Sequence, residues 1–281
     1  MTQDGCGRAR SLGAGRCRKS LITPGRDAPR AVKPDACPHA PGRTRENVHF
    51  SHFILLLAAA GITHAQEKEP ASYLVMGLIA QYRIANPQDE IALARSAAPP
   101  SISADAEVLV LGSRGYEAAV KGTSGFVCFV ERSWTAGFDD AQFWNPKLRS
   151  PNCFNPPAAR SVLPQYLKRT EWALAGASKQ QKIERTRSAI SNRTFKTPEP
   201  GSFSFMLSKD GYVNDDAAGP GLPHVMFFVP HGQAAVWGAS LAGSPVLGKD
   251  GSALEPTVLF IPVRRWSDGS PALPPVTEHK N

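Results

Sequence analysis

The chain has 281 residues, 42% of them hydrophobic, and a formal net charge of +8. Most of that charge lies early in the chain: residues 1–65 hold 10 basic and 4 acidic side chains, whereas the remaining 216 residues hold 22 and 20. A segment this close to neutral gives little support to nucleic-acid binding, which a pI near 9.4 would otherwise suggest. We therefore predict no nucleic-acid partner.

An apolar run of ten residues, Phe53 to Ile62, precedes the small and polar residues Thr63-His64-Ala65. This pattern is typical of a secretory signal peptide, with residues 51–65 as its h-region and cleavage site. The alternative, a buried core helix, fits less well because the run has no polar face and the residues after Ala65 are strongly polar. The run is also shorter than the roughly 20 apolar residues that span a bilayer. We expect an exported, periplasmic or secreted protein without a membrane span in its mature chain.

Residues 1–50 are rich in Arg, Gly and Pro and show neither helical nor strand periodicity. They are interpreted either as a disordered leader or as residues upstream of the true translation start. The 216 residues from Gln66 onward suit one domain. We predict a globular domain over 66–266 and a flexible, Pro-rich tail over 267–281.

The first elements of this domain are predicted to be helical. Apolar residues recur at helical spacing between Ala71 and Ala85. Asn86-Pro87 ends that helix and begins another, because Asn can cap a helix and Pro suits its first position. Strand-like runs at 106–111, 116–121 and 125–131 follow, separated by glycine-rich turns. Their connections are too short for helical crossovers, so we expect an antiparallel meander.

Two cysteines, Cys128 and Cys153, lie in the predicted domain, and in an oxidising compartment they would most simply pair. Such a disulfide stabilises the fold by about 3 kcal/mol in the chain-entropy picture. Inert buried thiols are the alternative. A catalytic thiol is disfavoured because Cys128 sits within an apolar strand, where a thiol is unreactive.

The stretch from Trp134 to Pro157 is predicted to be irregular and rich in aromatic residues. Two carboxylates framed by aromatic rings could form a carbohydrate-binding or cation-binding surface. We favour the other interpretation, an aromatic loop packed over the sheet. The residues concerned are Trp134, Phe138, Asp139, Asp140, Phe143, Trp144 and Asn145.

Helices return after this stretch, one with an apolar face from Leu163 to Leu174 and one led by a capping-box sequence at Ser178. Strands are predicted at 202–207, 225–229 and 257–263. The basic residues of the second helix are expected to be solvated: Lys179, Lys182, Arg185 and Arg187. The order of elements predicts an α+β fold, a single domain with a mainly antiparallel sheet of about six strands and helices packed against it.

The candidate catalytic and metal-binding residues lie in a second, polar region. His224 with Asp215 or Asp216 could form an acid/base pair, and His224, His231 and Asp210 could bind a divalent metal. His224 and His231 are seven apart, and a regular strand would point them to opposite faces. The chain has no Gly-x-Ser-x-Gly elbow, His-Glu-x-x-His, P-loop or Gly-x-Gly-x-x-Gly. No cofactor is predicted.

Several short sequence segments resemble those of a family of uncharacterised exported bacterial proteins. The resemblance covers about residues 71–269 and implies a secreted or periplasmic bacterial location, with nothing about activity. Leu222 departs from the family pattern, because a histidine is expected there and only His224 remains. The matching segments are Gly125-Phe126-Val127-Cys128, Phe143-Trp144-Asn145-Pro146, Ser208-Lys209-Asp210-Gly211-Tyr212, Pro223-His224-Val225-Met226-Phe227-Phe228, Trp237-Gly238, Gly243-Ser244-Pro245-Val246 and Trp266-Ser267-Asp268-Gly269.

These observations name no reaction. We expect an exported, non-catalytic domain that binds a small ligand or serves a structural role. The alternative is a metal- or His-dependent hydrolase centred on His224 with Asp215 or Asp216.

Overall fold

The computed structural model describes residues 73–215 and 221–272. The described chain forms helices and the strands of one sheet. Its helices are α1 Ile79–Tyr82, α2 Pro87–Arg95, α3 Pro100–Ser103, α4 Pro156–Ser161, α5 Leu163–Leu174 and α6 Lys179–Ser191, with a 3-10 turn at Ser133–Thr135. Its strands are β1 Glu107–Leu111, β2 Tyr116–Val120, β3 Val127–Glu131, β4 Ser150–Phe154, β5 Phe203–Met206, β6 His224–Val229, β7 Leu247–Lys249 and β8 Thr257–Pro262.

The sheet has eight strands in the order β2-β1-β3-β4-β5-β6-β8-β7. β1 and β3 run parallel, and the other neighbouring pairs are antiparallel. The α+β class is therefore confirmed, whereas the prediction of about six mainly antiparallel strands is corrected to a mixed sheet of eight. In this part of the chain, no helix is long and apolar enough to cross a membrane. The predicted signal segment at 51–65 lies outside the described residues.

The sheet differs from the expected meander because β3 pairs with β1 rather than with β2. β1 and β3 are apolar on both faces, while the middle of β2 is exposed. The two apolar strands gain most by lying side by side in the interior, which leaves β2 at the edge. β4 was not predicted because its sequence, Ser-Pro-Asn-Cys-Phe, lacks the usual strand pattern, and β7 is only three residues long.

Two predicted helix starts are confirmed by their caps. The side chain of Asn86 accepts a hydrogen bond from the backbone N–H of Gln88, with Pro87 in the first turn. Ser178 and Gln181 exchange the reciprocal bonds of a capping box at the start of α6. Both signals are local, so they could be predicted without knowledge of the tertiary fold.

The helix predicted from Ala71 to Ala85 is confirmed only at Ile79–Tyr82, and it is wrong over the described residues that precede Ile79 and over residues 83–85. Tertiary bonds explain the difference, because they hold this segment in an extended path. The Tyr73 hydroxyl donates to Asp215 at 2.5 Å. The backbone N–H of Gly77 donates at 3.1 Å to the Tyr82 hydroxyl, which in turn donates to the carbonyl of Trp144 at 2.7 Å. These contacts outweigh a modest helical propensity.

The sheet is covered by helices on both faces around β3 and β4. On one face, Phe129 and Phe154 pack against Leu163 of α5. On the other, Cys128 and Cys153 pack against Ala94 of α2 and against Ala97 and Ala98, which follow that helix. The two cysteines are directly opposite each other on β3 and β4, and their sulfur atoms are 2.01 Å apart. The predicted disulfide is thus present as a buried cross-strand pair.

A buried ion pair ties α2 to the end of β3. Arg132 is fully buried and its Nη2 donates to Glu90 Oε1 at 2.8 Å. Its Nε donates to the carbonyl of Tyr82 at 2.7 Å, and Glu90 accepts from the backbone N–H of Leu111 at 3.1 Å. Because removing one partner would leave an uncompensated buried charge, this pair fixes the position of α2 against the sheet.

Lys182 is a correction to the predicted solvated face of α6, because its side chain is fully buried. Its Nζ donates to the carbonyl of Trp134 at 2.9 Å and lies 4.8 Å from the centre of the Phe143 ring. Burial holds the pKa of this amine well below its usual value. α6 therefore packs the amine of Lys182 onto the aromatic cluster, where a carbonyl and ring faces replace water.

Candidate functional site

A cavity of about 960 Å³ lies on the face of the sheet that carries Met206, Met226 and Phe260. We call it the trough. Its floor consists of side chains from β3 to β8, and its wall consists of α5 and the loops 135–140 and 251–256. Ligand pockets commonly measure about 300–1,000 Å³, so the trough is large enough for a drug-sized molecule.

The strand register explains which side chains form the floor. Met206 of β5 pairs with His224 of β6, which pairs with Pro262 of β8. In the next row on the same face, Met226 pairs with Phe260. Residues paired across strands share a face, so these side chains stand together on one surface. α4 and α5 cover the same face near β3 and β4, and the uncovered remainder is the trough.

Glu131 provides a carboxyl group at the β3 side of the trough. Its Oε1 accepts a hydrogen bond from the hydroxyl of Thr135 at 2.6 Å, and its Oε2 accepts one from Asn152 Nδ2 at 3.2 Å. Burial raises the pKa of Glu131, and the nearby charge of Asp140 acts in the same direction, against the lowering effect of these bonds and of Arg169. The site thus holds a carboxyl group with two neutral hydrogen-bond donors.

Arg169 of α5 lies on the same side, and its side chain is almost fully buried. Its Nη1 donates to Glu255 Oε1 at 3.2 Å, and its Nη2 donates to the carbonyl of Ala136. The guanidinium carbon lies 4.2 Å from the centre of the Phe138 ring. Burial lowers the pKa of Arg169, while the charge of Glu255 opposes that shift. The charge of Arg169 is therefore paired within the protein.

His224 lies on the β6 side of the trough. Its Nδ1 is 2.7 Å from the carbonyl oxygen of Leu222. A carbonyl only accepts, so Nδ1 carries the ring hydrogen, and in the neutral ring Nε2 is an acceptor. Nε2 is buried and has no hydrogen-bond partner among the described residues. Burial lowers the pKa of His224, which favours the neutral ring.

Glu131 and His224 do not meet. β3 and β6 are separated by three inter-strand spacings, which corresponds to roughly 14 Å between their backbones. A single small reacting group could not contact both side chains at once. The trough is better described as an elongated apolar surface with a carboxyl group on one side and an imidazole acceptor on the other.

The predicted partnership of His224 with Asp215 is not formed in the structure. Asp215 accepts hydrogen bonds from Tyr73 at 2.5 Å, from the hydroxyl of Tyr212, and from Lys147 Nζ at 3.2 Å. Asp216 lies outside the described residues. The acid/base interpretation therefore loses one of its two candidate carboxylates.

The predicted metal ligands are also dispersed. His231 is exposed beyond the end of β6 and lines a separate cavity of about 190 Å³, while Asp210 is exposed in the loop after β5. Among the residues that the structure describes, no group of three or more His, Cys, Asp or Glu side chains could hold a metal ion. His224 alone of these three residues lines the trough.

The aromatic cluster is part of the core. Trp134, Phe138, Phe143 and Trp144 are each at most 6% exposed and pack with Tyr82. Their ring faces are therefore unavailable to a carbohydrate, as the favoured interpretation expected. Asp140, from the same stretch, accepts a hydrogen bond from the backbone N–H of Gln142 and lines the trough.

Sequence reasoning missed Glu131, Tyr166 and Arg169. In the sequence, Glu131 is the last residue of a predicted strand-like run, and Arg169 lies within the helix predicted from Leu163 to Leu174. One signal was available: Tyr166 and Arg169 are three residues apart and share a helix face. Nothing local indicated that this face meets β3, because the two segments are far apart along the chain.

No protein-family model, curated protein or solved structure matches this chain. The structure itself defines a class: an α+β protein with a mixed sheet and an apolar trough on one sheet face. The polar groups of that trough, rather than any similarity to a known protein, indicate which ligands it could bind.

Proposed function

We propose that this is an exported, non-catalytic protein that binds a small and mostly apolar ligand in the trough. The trough volume of about 960 Å³ is the observation that carries the proposal. A cavity with an apolar floor and a few convergent polar groups is the usual form of a small-molecule site.

The chemistry of the trough supports binding better than hydrolysis. Met206, Met226, Val258 and Phe260 offer apolar contact area along the floor. The flexible thioethers of methionine adapt to ligands of irregular shape. Hydrolysis would require a carboxylate or metal beside His224, and Asp215 bonds to other residues instead. We therefore place the hydrolase second.

Titration of the purified protein with hexanol, octanol and decanol tests the proposal. Each added methylene should contribute about 0.8 kcal/mol when buried, which is about fourfold in Kd. Calorimetry or the rise in melting temperature would report this trend. Met206→Trp should weaken octanol binding at least tenfold, because the larger ring occupies the floor.

Val225→Trp is the matched control, since Val225 precedes Met226 on β6 and points to the opposite face. It should leave octanol binding unchanged, and circular dichroism should show that both variants are folded. If the affinity did not depend on chain length, or if both variants bound octanol like the unmodified protein, the trough would not be the binding site.

The proposed location rests on three features. The apolar run from Phe53 to Ile62 has the form of a signal peptide, and the family resemblance implies a periplasmic or secreted protein. A disulfide between Cys128 and Cys153 is consistent with an oxidising compartment.

A further inference from the structure

We infer that the ligand of the trough is an organic cation, an amine on an apolar body, whose ammonium group lies beside Glu131. This inference rests on the proposed function and specifies its ligand class. It is carried by the charges on the β3 side of the trough: Arg169 is already paired with Glu255, whereas Glu131 forms no ion pair.

Glu131 is a carboxyl group without a cationic partner. Its two oxygens accept hydrogen bonds only from the neutral groups of Thr135 and Asn152. Among the described side chains, no Lys, Arg or His forms an ion pair with it. Removing a carboxylate from water is costly unless an opposite charge replaces the water. A ligand ammonium would supply that charge from the open side of the cavity.

Arg169 lines the same side of the trough, and its charge acts on Glu131 without forming an ion pair with it. Its guanidinium is shared between Glu255, the carbonyl of Ala136 and the Phe138 ring. Asp140 adds a further negative charge near Glu131. The local field therefore attracts a cation and opposes a carboxylate.

Tyr166 completes this side of the site. Tyr166 lines the trough as Glu131 does, and the charge of Glu131 acts on its hydroxyl group. A phenol oxygen can accept a hydrogen bond from an ammonium group, so Tyr166 offers a second acceptor on this side.

The rest of the trough suits an apolar body rather than a second cation. From Glu131 the floor continues over Met206 and Met226 toward His224. Burial favours the neutral form of His224, so its ring does not repel an incoming cation. Its Nε2 can accept a hydrogen bond from a donor at the far end of the ligand.

Octylamine, octanol and octanoate form a matched series that separates charge from apolar contact. Each would be titrated into the purified protein at pH 7 by calorimetry, below its aggregation concentration. Hydrogen bonds to charged groups contribute more than neutral ones. We therefore expect octylamine to bind at least about tenfold tighter than octanol, and octanoate to bind more weakly than octanol.

Glu131→Gln should bring the affinity for octylamine close to that for octanol while leaving octanol binding unchanged. Glu184→Gln is the matched control, because Glu184 lies on α6 and bonds to Gln180 at the surface. It should bind all three ligands like the unmodified protein. The comparison of the three ligands on the unmodified protein does not depend on any variant folding.

Two results would overturn the inference: octanoate binding as tightly as octylamine, or Glu131→Gln binding octylamine with unchanged affinity. Octanol binding in either case would leave the proposed function standing. If none of the three ligands bound, the proposed function would fail, and the inference with it.

Discussion

At the scale of single residues, Asp215 shows how a predicted functional group became a structural one. Its carboxylate is held by hydrogen bonds from Tyr212, Tyr73 and Lys147, and these bonds lower its pKa to about 2. The hydrogen bond between Tyr73 and Asp215 also raises the pKa of the Tyr73 hydroxyl to about 12, because ionised Tyr73 could no longer donate to the carboxylate. Asp215 thereby anchors the start of the described chain to the loop after β5.

Asp215→Asn should make the stability of the protein less dependent on pH in the acidic range. A carboxylate whose folded pKa is below its unfolded value stabilises the protein above the unfolded pKa, and this contribution is lost as the pH falls through the folded pKa. The melting temperature of the variant should therefore be lower than that of the unmodified protein from pH 7 down to about pH 4. The difference should shrink between about 3.8 and about 2. A difference that stayed constant over that range would show that the carboxylate charge contributes nothing.

At the scale of elements, the turn between β2 and β3 is constrained by a close backbone approach. A Cβ atom added at Gly122 would lie 2.0 Å from the backbone nitrogen of Glu107, where β1 begins. The N–H groups of Thr123 and Ser124 donate to the carbonyl of Asp105 at 2.9 and 3.2 Å. Gly122 thus allows the connection from β2 to β3 to pass close to the start of β1.

Gly122→Ala should lower the free energy of unfolding by about 3 kcal/mol, because the added methyl group collides with backbone that cannot move aside. Urea unfolding followed by circular dichroism would measure the change. Gly176→Ala is the control: Gly176 has φ +78° but nothing within 4 Å of an added Cβ. It should cost about 1 kcal/mol, from the left-handed conformation alone. Equal losses in the two variants would contradict the close approach.

Local signals predicted the elements unevenly. The caps of α2 and α6 were readable because a cap involves residues only two or three apart. β4 could not be predicted, since its strand conformation depends on pairing with β3 and β5. The parallel pairing of β1 with β3 could not be predicted either, because it depends on how the other strands of the sheet are arranged.

At the scale of the whole molecule, export and the disulfide can be checked together. Mass spectrometry of the protein recovered from the periplasm should find Gln66 at the N-terminus. It should also find Cys128 and Cys153 linked, with a mass lower by the hydrogens lost on oxidation. Recovery of the chain with residues 1–65 attached would contradict the signal peptide. Free thiols in that material would contradict the disulfide.

The composition of the candidate site depends on the fold of the whole molecule, because its residues come from segments that are far apart in the chain. His224 was identified from the sequence, and the structure places it in the trough. Two of its predicted partners are elsewhere: Asp215 bonds to Tyr73, and His231 lies beyond the far end of β6. The two histidines are close in sequence but not in space, because a strand of six residues separates its ends by roughly 20 Å.

By itself the sequence determined the α+β class, the caps of α2 and α6 and the pairing of two cysteines, because periodicity and capping act over a few residues and the domain contains only two cysteines. The tertiary structure alone decided the order of the strands, the burial of Lys182 and the trough that brings Glu131 and Arg169 together. Those features arise from contacts between segments far apart in the chain, and their energies depend on which surfaces the complete sheet leaves uncovered.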